Sequence, residues 1–230
     1  MNIAQNLKLF DEGLGKNKGR HADERSASFD YSFNYFQSFR EKDKIEELAE
    51  PSQMEVSCLQ LGFYLASWGM LRGSSFLLQK SLRFYQPLIR TLATFDKRVW
   101  AIDADSYDNE NIEMLLHCRD EIVDALGRAY KPSDTLATKI MLGVFGNVPA
   151  FDDFFRKGLR VRSFGKASLE HIANFYKDNE SEIDNAECFT IDYVTAEMTQ
   201  RKYTKAKIID MVGNIEGVNK TLQKQGVRQA

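Results

Sequence analysis

The sequence predicts an all-α protein, an irregular multi-helix bundle around a central buried helix at about residues 54–70. Apolar residues recur at three- and four-residue spacing in one stretch after another, which is the period of a helix face. Strand-like alternation is nearly absent: residues 188–194 (CFTIDYV) are the one short case, and helical spacing accounts for them equally well. Only four prolines interrupt 230 residues, while sixteen Phe and nine Tyr supply bulky groups for packing long segments.

Residues 1–24 read as a flexible N-terminal segment, because 11–24 (DEGLGKNKGRHADE) is Gly-rich and charged. Residues 25–230 then form a single helical domain. Its first helix starts near Ser26, a residue type that caps free backbone N–H groups, and carries Phe29, Phe33, Phe36, Tyr31, Tyr35 and Phe39 on a broad face. Glu50-Pro51-Ser52 restarts the chain, since proline is tolerated in a first helical turn. From Met54 to Met70 the sequence is apolar nearly all round, which predicts a helix enclosed by others.

A break at 71–75 precedes a helix running to Pro87 and another over about 88–95. After an acidic loop at 103–111, helical spacing resumes over 112–130 through Met114, Leu115, Cys118, Ile122 and Leu126. Lys131-Pro132-Ser133-Asp134 is a stop followed by a cap. Further helices are expected at about 134–145, 149–159 and 168–178, with one or two over 190–224.

Composition narrows the class. A hydrophobic content of 43% can offset the entropy of ordering, so the chain is not disordered. No apolar run reaches the roughly 18 residues of a membrane span, and the N-terminus lacks the apolar core of a signal peptide. Three scattered cysteines (Cys58, Cys118, Cys188) read as reduced buried thiols, which points to the cytoplasm. Neither a cofactor nor a metal is expected. Three separated histidines do not make a zinc site. Asp103-Ala104-Asp105 fails as a calcium loop, with Tyr107 where an oxygen ligand belongs and Asp108 where glycine should turn.

Three constellations could carry chemistry. In the first, Lys139 stands among Ile140, Met141, Leu142, Val144 and Phe145, and Asp152 opens the next helix. An inward-facing amine loses water and becomes a better nucleophile, and an aspartate at a helix N-terminus is favoured by the dipole. The plain alternative is a snorkelling lysine and an ordinary N-terminal acidic pair at 152–153. Thr138-Lys139 followed by Val148-Pro149-Ala150-Phe151-Asp152 resembles the helix-hairpin-helix DNA glycosylases, whose bifunctional members place a lysine after Thr and a later aspartate just after Val-Pro. The resemblance covers about residues 138–152 and implies Lys139 and Asp152 as catalytic residues of a DNA glycosylase or lyase.

The second constellation is Arg156, Lys157, Arg160, Arg162 and Lys166, with no acid between Phe154 and Leu169. In a chain of net charge −2, such a run fits nucleic acid or another phosphate-bearing partner. Phe154, Phe155 and Phe164 either stack on unpaired bases or pack inward. A solvated helix end explains the same charges. The C-terminal cations Lys202, Lys205, Lys207, Lys220, Lys224 and Arg228 could extend this surface.

The third constellation is 68–75 (WGMLRGSS), where Arg72, Ser74 and Ser75 could hold an anion at a chain break. So apolar a setting requires a partner for Arg72. The sequence thus favours a helical protein that associates with nucleic acid or another phosphate-bearing partner. A helical interaction or regulatory protein, meeting an acidic partner or its own acidic 103–124 region, is the first alternative. A lysine–aspartate glycosylase is the second.

Overall fold

The computed structural model describes residues 1–14, 18–224 and 226. In chain order the helices are α1 (Ile3–Glu12), α2 (Ala27–Glu41), α3 (Met54–Ser67), α4 (Gln86–Thr94), α5 (Asn109–Leu126), α6 (Asp134–Phe145), α7 (Asp153–Leu159), α8 (Lys166–Asp178) and α9 (Glu180–Asp184). A small hairpin follows, β1 (Phe189–Ile191) and β2 (Met198–Lys202), and then α10 (Lys205–Lys224). The fold is all-α apart from this hairpin. One hydrophobic cluster runs from Ile3 to Ile215 and includes Cys58, Cys118 and Cys188 as free, buried thiols. No helix among the described residues is long and apolar enough to cross a membrane.

The central helix is α6, not the 54–70 segment. Every residue from Leu136 to Phe145 is buried, and burial continues through Phe151. The Ser133 side chain accepts from Leu136 N–H at its start, and Gly146 closes it at φ +70°. In α3, Leu61 and Leu65 are fully buried, as the all-round apolar reading requires. The opposite face is open, however: Val56, Leu59 and Phe63 are 40%, 50% and 68% exposed. Apolar residues on a solvent-facing side look the same in sequence as core residues, so the pattern over-predicted enclosure.

Three other expectations change. The N-terminal segment 1–24 contains α1, which buries Ile3, Asn6 and Phe10 and packs on α10; residues 15–17 lie outside the described chain. The segment 76–87 forms two short 3-10 turns, Phe76–Gln79 and Leu82–Tyr85. The alternation near 190 is a strand: β1 pairs antiparallel with β2, Phe189 opposite Lys202 and Ile191 opposite Met198.

Two features place the candidate residues. The acidic loop caps α10 from a distance, because the Asp103 carboxylate accepts from Lys205 N–H and Ala206 N–H, each at 2.8 Å. Asp105 pairs with the Lys205 ammonium, so these acids are structural, and among the described residues no cluster could hold a metal. Helices α7 and α10 cross in close backbone contact. A Cβ on Gly158 would strike the Gly213 carbonyl, and one on Gly217 would strike the Phe154 carbonyl. Only glycine permits that approach.

Candidate functional site

A cleft opens where α6, α7 and α10 meet, walled by Phe10 of α1 and by Tyr64 and Trp68 at the end of α3. It is narrow: the space free inside it is about 10 Å³, room for about one water. Lys139 projects into it from α6 and is only 4% exposed. Its Nζ stands 3.4 Å from Asp152 Oδ2 and 5.0 Å from the centroid of the Trp68 ring.

The turn that carries Asp152 is pinned from two helices. Thr135 Oγ1 donates to the Phe151 carbonyl at 2.8 Å, and Phe151 N–H donates to Thr138 Oγ1 at 2.9 Å. Ala150 N–H donates to Asp210 Oδ1 of α10 at 3.0 Å. Asp152 itself caps α7, with Oδ1 accepting from Phe154 N–H and Phe155 N–H at 3.1 and 3.0 Å. That leaves Oδ2 for Lys139. The fold thus brings Lys139 and Asp152 together across thirteen residues of chain.

A second pair lies beside the first. Lys207 Nζ donates to Asp210 Oδ2 at 2.9 Å, and Lys207 is 2% exposed. Its ammonium is surrounded by the rings of Phe29, Phe10 and Trp68, at 4.5, 5.4 and 5.6 Å from their centroids. Aromatic faces stabilise a desolvated cation through their quadrupoles. The Tyr64 ring packs where Gly143 leaves room for it. Burial, with Asp210 and Asp152 nearby, pushes the Tyr64 phenol well above its ordinary range, so it stays protonated. The sequence reads Lys207 as a surface cation and passes over its pairing with Asp210, because a pair three residues apart on a helix usually marks a solvated face. Their setting in AKIIDMVG was the available signal: both sit in an otherwise apolar stretch.

The arrangement puts an amine beside a carboxylate in a place with little water. Such a carboxylate can take the ammonium proton or face positive charge developing on a reacting carbon. A purely structural reading uses the same contacts as two buried ion pairs.

The other expected site residues divide. In the basic run, Arg156 is paired with Asp153 at 2.5 Å and also donates to the Arg162 carbonyl, so its charge is compensated. Lys157, Arg160, Arg162 and Lys166 are exposed. Phe155 and Phe164 are buried in the core and cannot stack on bases; Phe154, 40% exposed, lies under the Lys157 ammonium. The C-terminal cations do not extend a positive surface. Lys205 pairs with Asp105 and Asp184, Lys207 is buried, and Lys220 pairs with Glu216. Lys202 and Lys224 remain exposed, and Arg228 lies outside the described residues. The acidic 103–124 region is likewise partly neutralised, by Arg98 at Glu110, Arg119 at Asp120 and Arg128 at Asp124.

In the third constellation, Ser75 is occupied: its hydroxyl donates to the Met70 carbonyl at 2.6 Å and accepts from Leu77 N–H. Ser74 is exposed. The apolar setting predicts an Arg72 held by carbonyls, a carboxylate or a bound anion. It is exposed instead, without an ion pair or side-chain hydrogen bond among the described residues, because the chain break carries it outward from the apolar segment.

No family model matches the chain, and no curated protein or solved structure matches it either.

Proposed function

We propose that the cleft is the reaction centre of an enzyme acting on DNA through an amine nucleophile, in the manner of the glycosylases and lyases that residues 138–152 resemble. The observation supporting this is the Lys139–Asp152 pair, 3.4 Å apart at the floor of a cleft, on a turn held by both neighbouring helices. In the proposed reaction Asp152 takes a proton from the Lys139 ammonium, and the freed amine attacks C1′ of a deoxyribose. The C1′–N bond breaks, the base leaves with the bonding electrons, and the proton on Asp152 returns to it. The C1′–O4′ bond then breaks as a proton passes from the substituted nitrogen to O4′, leaving a protonated imine between Lys139 and C1′ and a 4′-hydroxyl. The protonated Tyr64 phenol is a donor to the sugar oxygens in this reading.

The test uses an oligonucleotide carrying an abasic site, whose aldehyde forms the same imine. Sodium borohydride should trap a covalent adduct with the wild type and none with Lys139→Ala. Asp152→Asn should slow its formation by roughly 10²–10⁴-fold, the usual worth of a positioned base. Failure of the wild type to give any adduct would exclude the reading.

Binding to nucleic acid without catalysis is the second reading, and the exposed Lys157, Arg160, Arg162 and Lys166 favour it. Replacing these four together should then lower the salt dependence of duplex binding by up to about 0.9 for each phosphate no longer neutralised.

A further inference from the structure

Two guanidinium groups stand near the cleft without acidic partners. Arg25, exposed just before α2, places Cζ 5.2 Å from the centroid of the Trp68 ring. Arg72 folds back on Gly69, the residue after Trp68: a Cβ built on Gly69 would lie 3.0 Å from its Nε and 3.1 Å from its Cζ. Neither guanidinium makes an ion pair or hydrogen bond among the described residues. Arg25 thus stands over a ring that lines the cleft, and Arg72 over Gly69, the residue that follows that ring in the chain.

The same ring touches the buried cations. Lys139 and Lys207 lie 5.0 and 5.6 Å from its centroid, and each of these has its own carboxylate. The two carboxylates of the cleft are therefore each paired with a buried lysine. Trp68 Nε1 is buried and has no acceptor among the described residues. A buried donor without an acceptor costs free energy unless a ligand or water supplies one. Guanidinium groups bind phosphate through paired N–H donors, and an indole face suits a sugar or a base.

We infer that Arg25, Trp68 and Arg72 form a phosphate entry site for the cleft, taking the phosphodiester of a single-stranded or extruded nucleotide whose sugar faces Lys139. This rests on the proposed function for the orientation of the sugar, but not for the binding of phosphate itself. The site differs from the basic run, whose cations lie on and beyond α7.

The experiment measures binding of a fluorescent single-stranded oligonucleotide by anisotropy over a range of salt concentrations. Both arginines are exposed and unpaired, so Arg25→Ala and Arg72→Ala leave the fold intact. The double variant should bind more weakly at low salt, with its salt slope reduced by up to about 1.4, or about 0.7 for each single-strand phosphate no longer neutralised. The wild-type advantage should then shrink about sevenfold between about 50 and about 200 mM salt. The pair Arg160→Ala and Arg162→Ala removes equal charge elsewhere and should change the slope less. An equal or larger change in that pair, an unchanged slope in the Arg25/Arg72 variant, or no binding by the wild type at low salt would overturn the inference. Running the series in a Lys139→Ala background separates the two proposals. The entry site survives if phosphate binding persists without adduct chemistry, and it fails alone if adducts form independently of Arg25 and Arg72.

Discussion

The two ends of α7 treat charge in opposite ways. At its N-terminus Asp152 caps the helix with one oxygen and faces the buried Lys139 with the other, on a turn held by Thr135, Thr138 and Asp210. At its C-terminus Arg156 pairs with Asp153, which is 78% exposed, and the chain leaves through Arg160 in a left-handed conformation at φ +59°. In sequence the basic end is the more conspicuous, with five cations against one lysine. In the structure the quiet end has the defined geometry. Charge density finds surfaces that attract phosphate, whereas burial together with fixed backbone finds places where chemistry can be done.

The largest expected effect lies at the buried end. Asp210→Ala leaves Lys207 unpaired in the core and frees Ala150 N–H, so it should cost about 3–5 kcal/mol in urea unfolding. A cost under about 1 kcal/mol would mean that the second pair does not organise the cleft. Next comes the close approach that sets the two helices against each other. Gly217→Ala drives a methyl into the Phe154 carbonyl, which is backbone and cannot step aside; about 1–3 kcal/mol of destabilisation by calorimetry follows.

A pH effect comes from two carboxyls outside the cleft. Burial raises both Asp30 and Asp103 to about 6, from an ordinary value of 3.8. Between those values the folded chain binds the protons more tightly than the unfolded chain does. The contribution of these two groups to stability is therefore full below about 3.8 and lost as pH rises through about 6. Asp30 Oδ1 accepts from the Tyr203 hydroxyl at 2.5 Å. Asp30→Asn should flatten the pH dependence of the urea midpoint between about pH 4 and about pH 7; an unchanged profile would remove Asp30 as its source. The smallest effect belongs to the exposed end of α7, where Arg156→Ala should change stability by about 0–1 kcal/mol.

The legible parts of the sequence carry local stop and start signals. Ser133 and Gly146 bound α6, and the spacing places that helix at 134–145, where it stands. Asn2 and Gly13 bound α1 in the same way, but the charged, Gly-rich stretch after it concealed the helix. The hairpin at 189–202 has strands of three and five residues, too short for alternation to prevail over a helical reading. The exposed face of α3 carries Val56, Leu59 and Phe63 among Glu55, Gln60 and Ser67, too few polar residues to announce it. In the cleft, the burial of Lys139 was legible from its apolar neighbours and the capping role of Asp152 from its place before α7. Lys207, Asp210 and the neighbour of Arg25 were not, because their proximity depends on how α2, α3 and α10 pack.

The central claim is that the lysine in the cleft, rather than any in the exposed run, is the reactive amine. Peptide mapping of the borohydride-reduced adduct with abasic DNA tests this most directly, because it reads which lysine carries the sugar. The account predicts a single modified peptide with the adduct on Lys139. An adduct on Lys157, Lys166 or another exposed lysine, with Lys139 unmodified, would contradict it.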